Sequence, residues 1–189
     1  MNFPNNYKIL VNWEHIQRGP FNIRPVRYSD RYKIMNMRNK NRSILRTKRL
    51  LTRSNQDLYF REELSNEFES ELPKTILLSL FYEGSFAAYG GLVHINWKAK
   101  VGELSYLTMD SEVEPISNFN KLCLDFFVKE VAILSKTHLM LENILTETFK
   151  QRTTHMRALE AIGFRKSKLL WSKIGRKLNV GSIYHKLTL

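Results

Sequence analysis

Glu103 and His94 are the two side chains whose type and position best suit the movement of a proton. Glu103 stands near the start of the apolar run Val101–Met109, and His94 lies inside the run Phe86–Trp97. A carboxylate or an imidazole works as a general base when its pKa lies near the working pH, which partial burial can bring about. The competing readings are an ordinary acid at a strand start and a packed or surface histidine. Asn96 and Trp97 follow His94 closely and could line the same pocket. Trp97 offers either a stacking face for a sugar or base, or plain packing. The segment Val113–Asn118 leads into a helix, and a helix N-terminus receives anions because its first amides lack partners. Cys123 falls on an apolar helix face and reads as core.

The elements that must hold these residues follow from periodicity. Residues 1–20 read as an irregular lead-in ending at the turn signal Gly19-Pro20. Phe21–Arg27 reads as a strand. Ser29 or Asp30 caps a helix to about Asn39, with Ile34, Met35 and Met37 inward. A second helix runs from Thr52-Arg53-Ser54 to Phe68. Three strands follow, Thr75–Tyr82, Phe86–Trp97 and Val101–Met109, the first two joined at Glu83-Gly84. Gly90 and Gly91 inside the second strand mark a bulge or a close backbone approach. Ser117 or Asn118 caps a helix to about Ser135. Its apolar face is read as Phe119, Leu122, Cys123, Phe126, Phe127, Val131 and Leu134. Leu139–Phe149 is a strand, Arg152–Ile162 a helix stopped by Gly163, and a hairpin through Gly175–Gly181 closes the chain. The order β-α-α-β-β-β-α-β-α-β-β predicts an α+β fold around one mostly antiparallel sheet.

Thirty Lys and Arg against 18 Asp and Glu give a net charge of +12 over 189 residues. Eleven basic residues and one acid lie between Arg24 and Arg53, and seven basic residues and no acid between Arg165 and Lys186. Such a field attracts polyanions: coenzyme A, a nucleotide sugar, nucleic acid or an anionic membrane surface. A solvated basic face is the plain alternative. A single Cys excludes an internal disulfide and argues against a cysteine metal site. The polar N-terminus lacks a secretory pattern, and no apolar stretch is long enough to span a bilayer, so a cytoplasmic protein without a membrane partner is expected. The length suggests a single domain.

Several stretches resemble the GNAT N-acetyltransferase superfamily. Ile23-Arg24-Pro25-Val26-Arg27 with Asp30 and Arg38-Asn39 is similar to its first strand and helix. Tyr89-Gly90-Gly91-Leu92-Val93-His94-Ile95 is similar to its third strand. Val101-Gly102-Glu103-Leu104-Ser105-Tyr106 resembles its fourth, in the branch acting on ribosomal-protein N-termini. Ala158-Leu159-Glu160-Ala161-Ile162-Gly163-Phe164 resembles the end of its fourth helix. The similarity spans about residues 21–189, leaving 1–20 as an N-terminal extension. Gly90–Trp97 together with His155–Glu160 looks most like bacterial enzymes that acetylate amino sugars.

The resemblance implies acetyl-CoA as cosubstrate and a splayed fourth and fifth strand, here Val101–Met109 and Leu139–Phe149, taking the pantetheine arm. Leu107, Thr108 and Met109 are then cofactor contacts, as are Val113, Ile116, Ser117 and Asn118 beneath the pyrophosphate. Glu103 becomes the first choice of base, acting directly or through water, and His94 the second. Asn96, Trp97 and Arg38 become acceptor contacts. Two features depart from the family. Its pyrophosphate loop is Gly-rich, whereas this one carries Glu112, Glu114 and Pro115; either the acids point away or cofactor binding is weakened. Its thiolate-protonating Tyr falls here on Leu159, leaving His155, one turn earlier, as a substitute.

The implied reaction moves an acetyl group to a primary amine, with a nucleotide-linked amino sugar as preferred acceptor. A protein N-terminus or another small amine is the second reading. The third is a catalytically diverged domain of the same fold that binds RNA or another polyanion; Tyr28 and Tyr32 among the basic residues would serve it, but no RNA-binding motif is present. Homodimers are common in the superfamily, although no interface can be read from the residues.

Overall fold

The computed structural model describes residues 3–13, 15–111 and 113–189. The chain divides into two compact units, Met1–Gly91 with Tyr106–Glu112, and Leu92–Ser105 with Val113–Leu189. The first holds β1 (Ile16–Arg18), β2 (Phe21–Pro25), α1 (Arg31–Lys40) and α2 (Arg53–Leu58). A π-helical stretch (Tyr59–Leu64) carries α2 into α3 (Ser65–Glu69), and β3 (Ile76–Tyr82) follows. The strands β4 (Ser85–Asn96) and β5 (Val101–Thr108) run through both units. The second unit holds α4 (Asn118–Thr137), β6 (Asn143–Phe149), α5 (Thr153–Ile162), β7 (Arg165–Lys166) and β8 (Ser182–Thr188). The sheet order is β1-β2-β3-β4-β5-β6-β8-β7. Strands pair antiparallel at β1–β2, β2–β3, β6–β8 and β7–β8 and parallel at β5–β6. The expected α+β fold with a mostly antiparallel sheet is the fold observed.

In the first unit, the lead-in is more ordered than its composition suggests. β1 pairs with β2 through Ile16↔Ile23 and Arg18↔Phe21, so Gly19-Pro20 is a hairpin turn, with Gly19 at φ 56°. Tyr7, Leu10 and Trp13 are buried, and the Tyr7 ring stacks on Phe68 at 3.8 Å. A three-residue strand is too short to show alternation, which is why periodicity missed it. Glu83 and Gly84 both take positive φ, 47° and 75°, the turn whose twist suits a two-residue hairpin between β3 and β4. In α1, Ile34 and Met37 face inward as expected, but Met35 is only half-buried.

Asp30 joins β2, α1 and β3. Its carboxylate accepts two bonds from the Arg24 guanidinium (2.7 and 3.0 Å), one from the Arg27 N–H (2.9 Å) and one from the Ser79 hydroxyl (2.9 Å). Burial opposes the charge, yet Arg24, the Arg27 amide and Ser79 together hold the carboxyl below its ordinary range. Replacing Asp30 by Asn removes the charge partner of the partly buried Arg24, which keeps its bond to the Pro25 carbonyl, so Asp30→Asn should cost about 1–3 kcal/mol in urea unfolding. The folded value is depressed, so the contribution is complete above about pH 4, the ordinary carboxylate value, and fades as pH falls through the folded one. An acid titration of stability should show that loss in the wild type and not in the variant.

In the second unit, the α4 face differs from expectation. Cys123, Leu124, Phe127, Val128, Val131 and Leu134 are buried, whereas Phe119 and Leu122 are 46% and 49% exposed. The helix carries more apolar residues than one stripe needs, and packing selects the stripe through Leu124 and Val128. The strand expected from Leu139 starts at Asn143, because Met140 at φ 52° breaks the extended chain. The C-terminal hairpin is also altered. β7 is two residues long, and between it and β8 lies a 3-10 turn, Trp171–Ile174. Trp171 and Ile174 pack with Val101, Leu145 and Tyr184, which pins this long connection by its apolar side chains.

Candidate active site

The parallel pairing of β5 with β6 has three steps, Val101↔Asn143, Gly102↔Ile144 and Glu103↔Leu145. β6 goes on to Phe149 and pairs with β8 along its whole length, while its pairing with β5 stops at Leu145. Glu103 therefore stands at the last paired step. Its side chain is buried, 4% exposed, and Oε2 lies 3.9 Å from His94 Nε2. His94 has φ 51°, the left-handed region, within β4. A non-glycine residue held there by its surroundings is a recurrent feature of functional sites. Arg176 approaches from the β7–β8 connection, with Nη1 3.4 Å from His94 Nε2. The two residues expected from sequence as bases are thus brought together, and a third group stands beside them that sequence reasoning did not single out.

The connection carrying Arg176 is tied to β4 as well. Asn96 Nδ2 donates to the Lys173 carbonyl at 2.6 Å, and Asn96 Oδ1 accepts from the Ala99 N–H at 2.9 Å. Asn96 therefore uses both ends of its amide to fasten the chain around Glu103 and His94. Trp97 is half-buried at the β4–β5 turn, where its carbonyl accepts from the Lys100 N–H.

The segment before α4 shows what becomes of Glu114. Its Oε2 accepts from the Thr154 N–H (3.1 Å) and from the Thr154 hydroxyl, at the first turn of α5. A carboxylate there meets the positive end of the helix dipole. Burial of the Arg152 side chain pushes its pKa down to about 10, with Glu114 pulling the other way, so it remains charged at pH 7. Glu114 is thus directed to α5, while Glu112 lies outside the described residues. Ser117 caps α4 by accepting from the Asn120 N–H at 3.1 Å, and Asn118 opens the helix. Two of the expected cofactor amides are used within the fold. The Ile116 N–H goes to Thr154 Oγ1 (3.0 Å), and in the first unit the Thr108 N–H goes to Ser111 Oγ (2.7 Å). Asn41 Nδ2 also binds the carbonyls of Thr108 (2.9 Å) and Met109 (3.1 Å). Leu107 is buried, whereas Met109 and Val113 are exposed.

His155 is 7% exposed, on the core side of α5. Burial, followed by the charges of Arg152 and His185, holds it well below its ordinary value, so its ring is neutral at pH 7 and a poor proton donor. Leu159 is fully buried in the same helix.

In the first unit, Arg38 Nη1 binds the Tyr89 hydroxyl at 3.1 Å. Burial, and then the neighbouring Tyr89, raise Tyr59 above its ordinary value, with Arg38 opposing. Tyr59 opens the π-helical stretch, a geometry frequent at functional sites. Charge and periodicity mark Arg38 and Tyr59 separately; only the folded chain groups them with Tyr89. The aromatics of the basic run are engaged internally. The Arg31 guanidinium lies over Tyr28 (3.8 Å) and Tyr32 (4.1 Å), and Arg53 over Tyr32 (5.1 Å). Arg31 Nε and the Tyr32 hydroxyl both bind Asp57. Tyr28 and Tyr32 are therefore poor stacking platforms for RNA.

A family model described as the acetyltransferase (GNAT) domain matches residues 23–171. The chain belongs to the GNAT acetyltransferase family. Solved GNAT structures share its fold. Dodecameric spermidine N-acetyltransferase from Vibrio cholerae aligns with a TM-score of 0.64 and 14% identity, over 90% of this chain and 95% of its own. Ribosomal-protein-S5-alanine acetyltransferase from Vibrio fischeri gives 0.64 and 15%, over 92% and 96%. The Vibrio cholerae enzyme in complex with CoA and spermine gives 0.64 and 16%, over 90% and 96%. No curated protein matches the sequence.

As a GNAT enzyme, the chain is an acetyl-CoA-dependent N-acetyltransferase. Its residues fit that cosubstrate: β6 runs on past its last pairing with β5, and Ser117 opens α4 with the nearest described carboxylate, Glu114, bonded to α5. Bound acetyl-CoA supplies the acyl group as an activated thioester. Among the described residues, no helix is long and apolar enough to cross a membrane.

Proposed function

We propose that residues 21–189 act as one functional domain that acetylates the primary amine of a nucleotide-linked amino sugar in the cytoplasm, with Glu103 as the general base. The observation carrying this reading is the buried Glu103 carboxylate beside His94 at the point where β5 and β6 cease to pair. An amine must lose a proton before or as it attacks, and a carboxylate excluded from water can accept it directly or through one water. His94 lies within reach to orient that water. The pantetheine arm lies along the strand backbone as an added strand would, from Leu104 towards Leu107 and Met109. The pyrophosphate takes amides from Val113 and from the α4 opening at Ser117 and Asn118, the first turn of a helix being an anion site. Ile116 supports these contacts without donating its own N–H group. Trp97, in the same unit as Glu103 and His94, contacts the acceptor. A thiolate is a good leaving group with a pKa far below that of an alkoxide, so no dedicated acid replaces the Tyr that Leu159 displaces.

Thermal unfolding with and without acetyl-CoA, at fixed salt and beside ADP, tests the cosubstrate part. A ligand bound only by the folded state at a hundredfold excess over its Kd adds about 2.7 kcal/mol, a shift of several degrees for a chain of this size. A shift with acetyl-CoA well above that with ADP is expected. Equal shifts would mean that the basic surface binds anions without reading the pantetheine, and the proposed function would fall.

A further inference from the structure

We infer that Arg176, with His94, reads an anionic group on the acceptor, so that the amine delivered to Glu103 belongs to a phosphate-bearing small molecule and not to a polyamine. This rests on the acetyl-transfer reading above and deepens it at the same site.

The three side chains stand next to one another. Glu103 Oε2 lies 3.9 Å from His94 Nε2, and the same nitrogen lies 3.4 Å from Arg176 Nη1. A guanidinium only donates, so in this contact His94 Nε2 is the acceptor. Arg176 has five N–H groups in a planar fork that matches phosphate oxygens, and this contact takes one of them. The side chain is half-buried, placed at the rim and not free in solvent.

Its backbone is prepared in advance. Gly175 takes φ 68° directly after the Trp171–Ile174 turn, which aims the chain at residue 176. Trp171 and Ile174 are anchored in the cluster with Val101, Leu145 and Tyr184, and Lys173 is tied to Asn96 of β4. The backbone leading to Arg176 is thus fixed to the two strands that carry His94 and Glu103. A charge-assisted bond made by a group already in place avoids most of the ordering cost.

The charge along the sequence points the same way. Arg176 belongs to the stretch Arg165–Lys186, which carries seven basic residues and no acid, with Lys166 paired to Glu160. An acceptor with several ammonium groups would bring like charge to Arg176, with the buried Glu103 to offset it. An amine that also carries phosphate satisfies both: its ammonium faces Glu103 and its anion faces Arg176. The solved relatives with 14% and 16% identity are spermidine N-acetyltransferases, so the inference separates this chain from neighbours that share its fold.

The test measures acetyl transfer by thiol release with four acceptors: glucosamine, glucosamine 1-phosphate, UDP-glucosamine and spermidine. The phosphorylated amines should exceed glucosamine in kcat/KM by about thirtyfold, the worth of one or two charge-assisted hydrogen bonds. Spermidine should be the poorest. Arg176→Gln should reduce that preference to about threefold, chiefly through KM for the phosphorylated amines. Arg176→Lys should restore part of it, since lysine keeps the charge but not the fork. A further gain for UDP-glucosamine over glucosamine 1-phosphate would identify a nucleotide as the source of the phosphate. Preference for spermidine or glucosamine, or an equal loss with all four acceptors in Arg176→Gln, would overturn the inference and leave acetyl transfer standing. If no acceptor is turned over, acetyl transfer to these amines fails, and calorimetry with UDP-glucosamine decides. Binding that weakens at least tenfold in Arg176→Gln upholds the anion site; no binding, or binding unchanged by the substitution, refutes it.

Discussion

Glu103→Gln should lower kcat for acetyl transfer by about 10²–10⁴, the usual worth of a positioned general base. Glutamine keeps the size of the side chain and removes its ability to take a proton. Glu103 is 4% exposed and lies 3.9 Å from His94 Nε2, so the substitution changes charge with little change in packing. Stabilisation by acetyl-CoA should therefore be retained in the variant, because the cofactor contacts are assigned to other residues. Full activity in Glu103→Gln would remove Glu103 from the mechanism. Loss of both activity and the acetyl-CoA shift would point to a structural role for the buried carboxylate.

Gly91→Ala is expected to be the most destabilising single substitution considered for the first unit. Gly91 has φ 131°, and an added Cβ would come within 2.0 Å of the Ile76 carbonyl oxygen, a backbone atom that cannot swing aside. The strain of the backbone angle adds to the clash, and together they should exceed about 4 kcal/mol, a cost reserved for such special positions. At about 2–4 °C per kcal/mol for a chain of this length, Tm should fall by about 10 °C or more. Gly84→Ala provides the comparison. Gly84 has φ 75° with nothing within 4 Å of the added atom, so only the angular cost of about 1–2 kcal/mol applies. Similar small shifts in both variants would show that β3 and β4 part easily at Gly91.

Both predictions depend on features that the residues announce to different degrees. Gly90-Gly91 within an apolar run signals close backbone approach, and the fold supplies the partner, Ile76. Glu103 and His94 are legible as proton-moving types on two strands. That they meet depends on the β4–β5 turn and on the left-handed backbone at His94, which no spacing rule reports. Arg176 is visible in the sequence as one of seven basic residues in an acid-free stretch. Its distinction from the other six arises from the Trp171–Ile174 turn and the Asn96–Lys173 bond, contacts between residues far apart in the chain.

The amino-acid sequence by itself determined the order of elements after the lead-in, the hairpin at Glu83-Gly84 and the helix stop at Gly163, which depend on local periodicity, turn chemistry and capping acting over a few residues. The family was legible through the resemblance of particular stretches. Tertiary structure decided which apolar stripe of α4 is buried, that the lead-in contributes a strand, and where the acidic residue before α4 is directed. Glu114 looked unfavourable beside a pyrophosphate, yet its carboxylate is bonded to Thr154 at the start of α5. The Ile116 amide is used by the same threonine. The physical reason is common to these cases: a charged or hydrogen-bonding group is defined by the partner it meets, and a partner some forty residues away leaves no trace in local pattern.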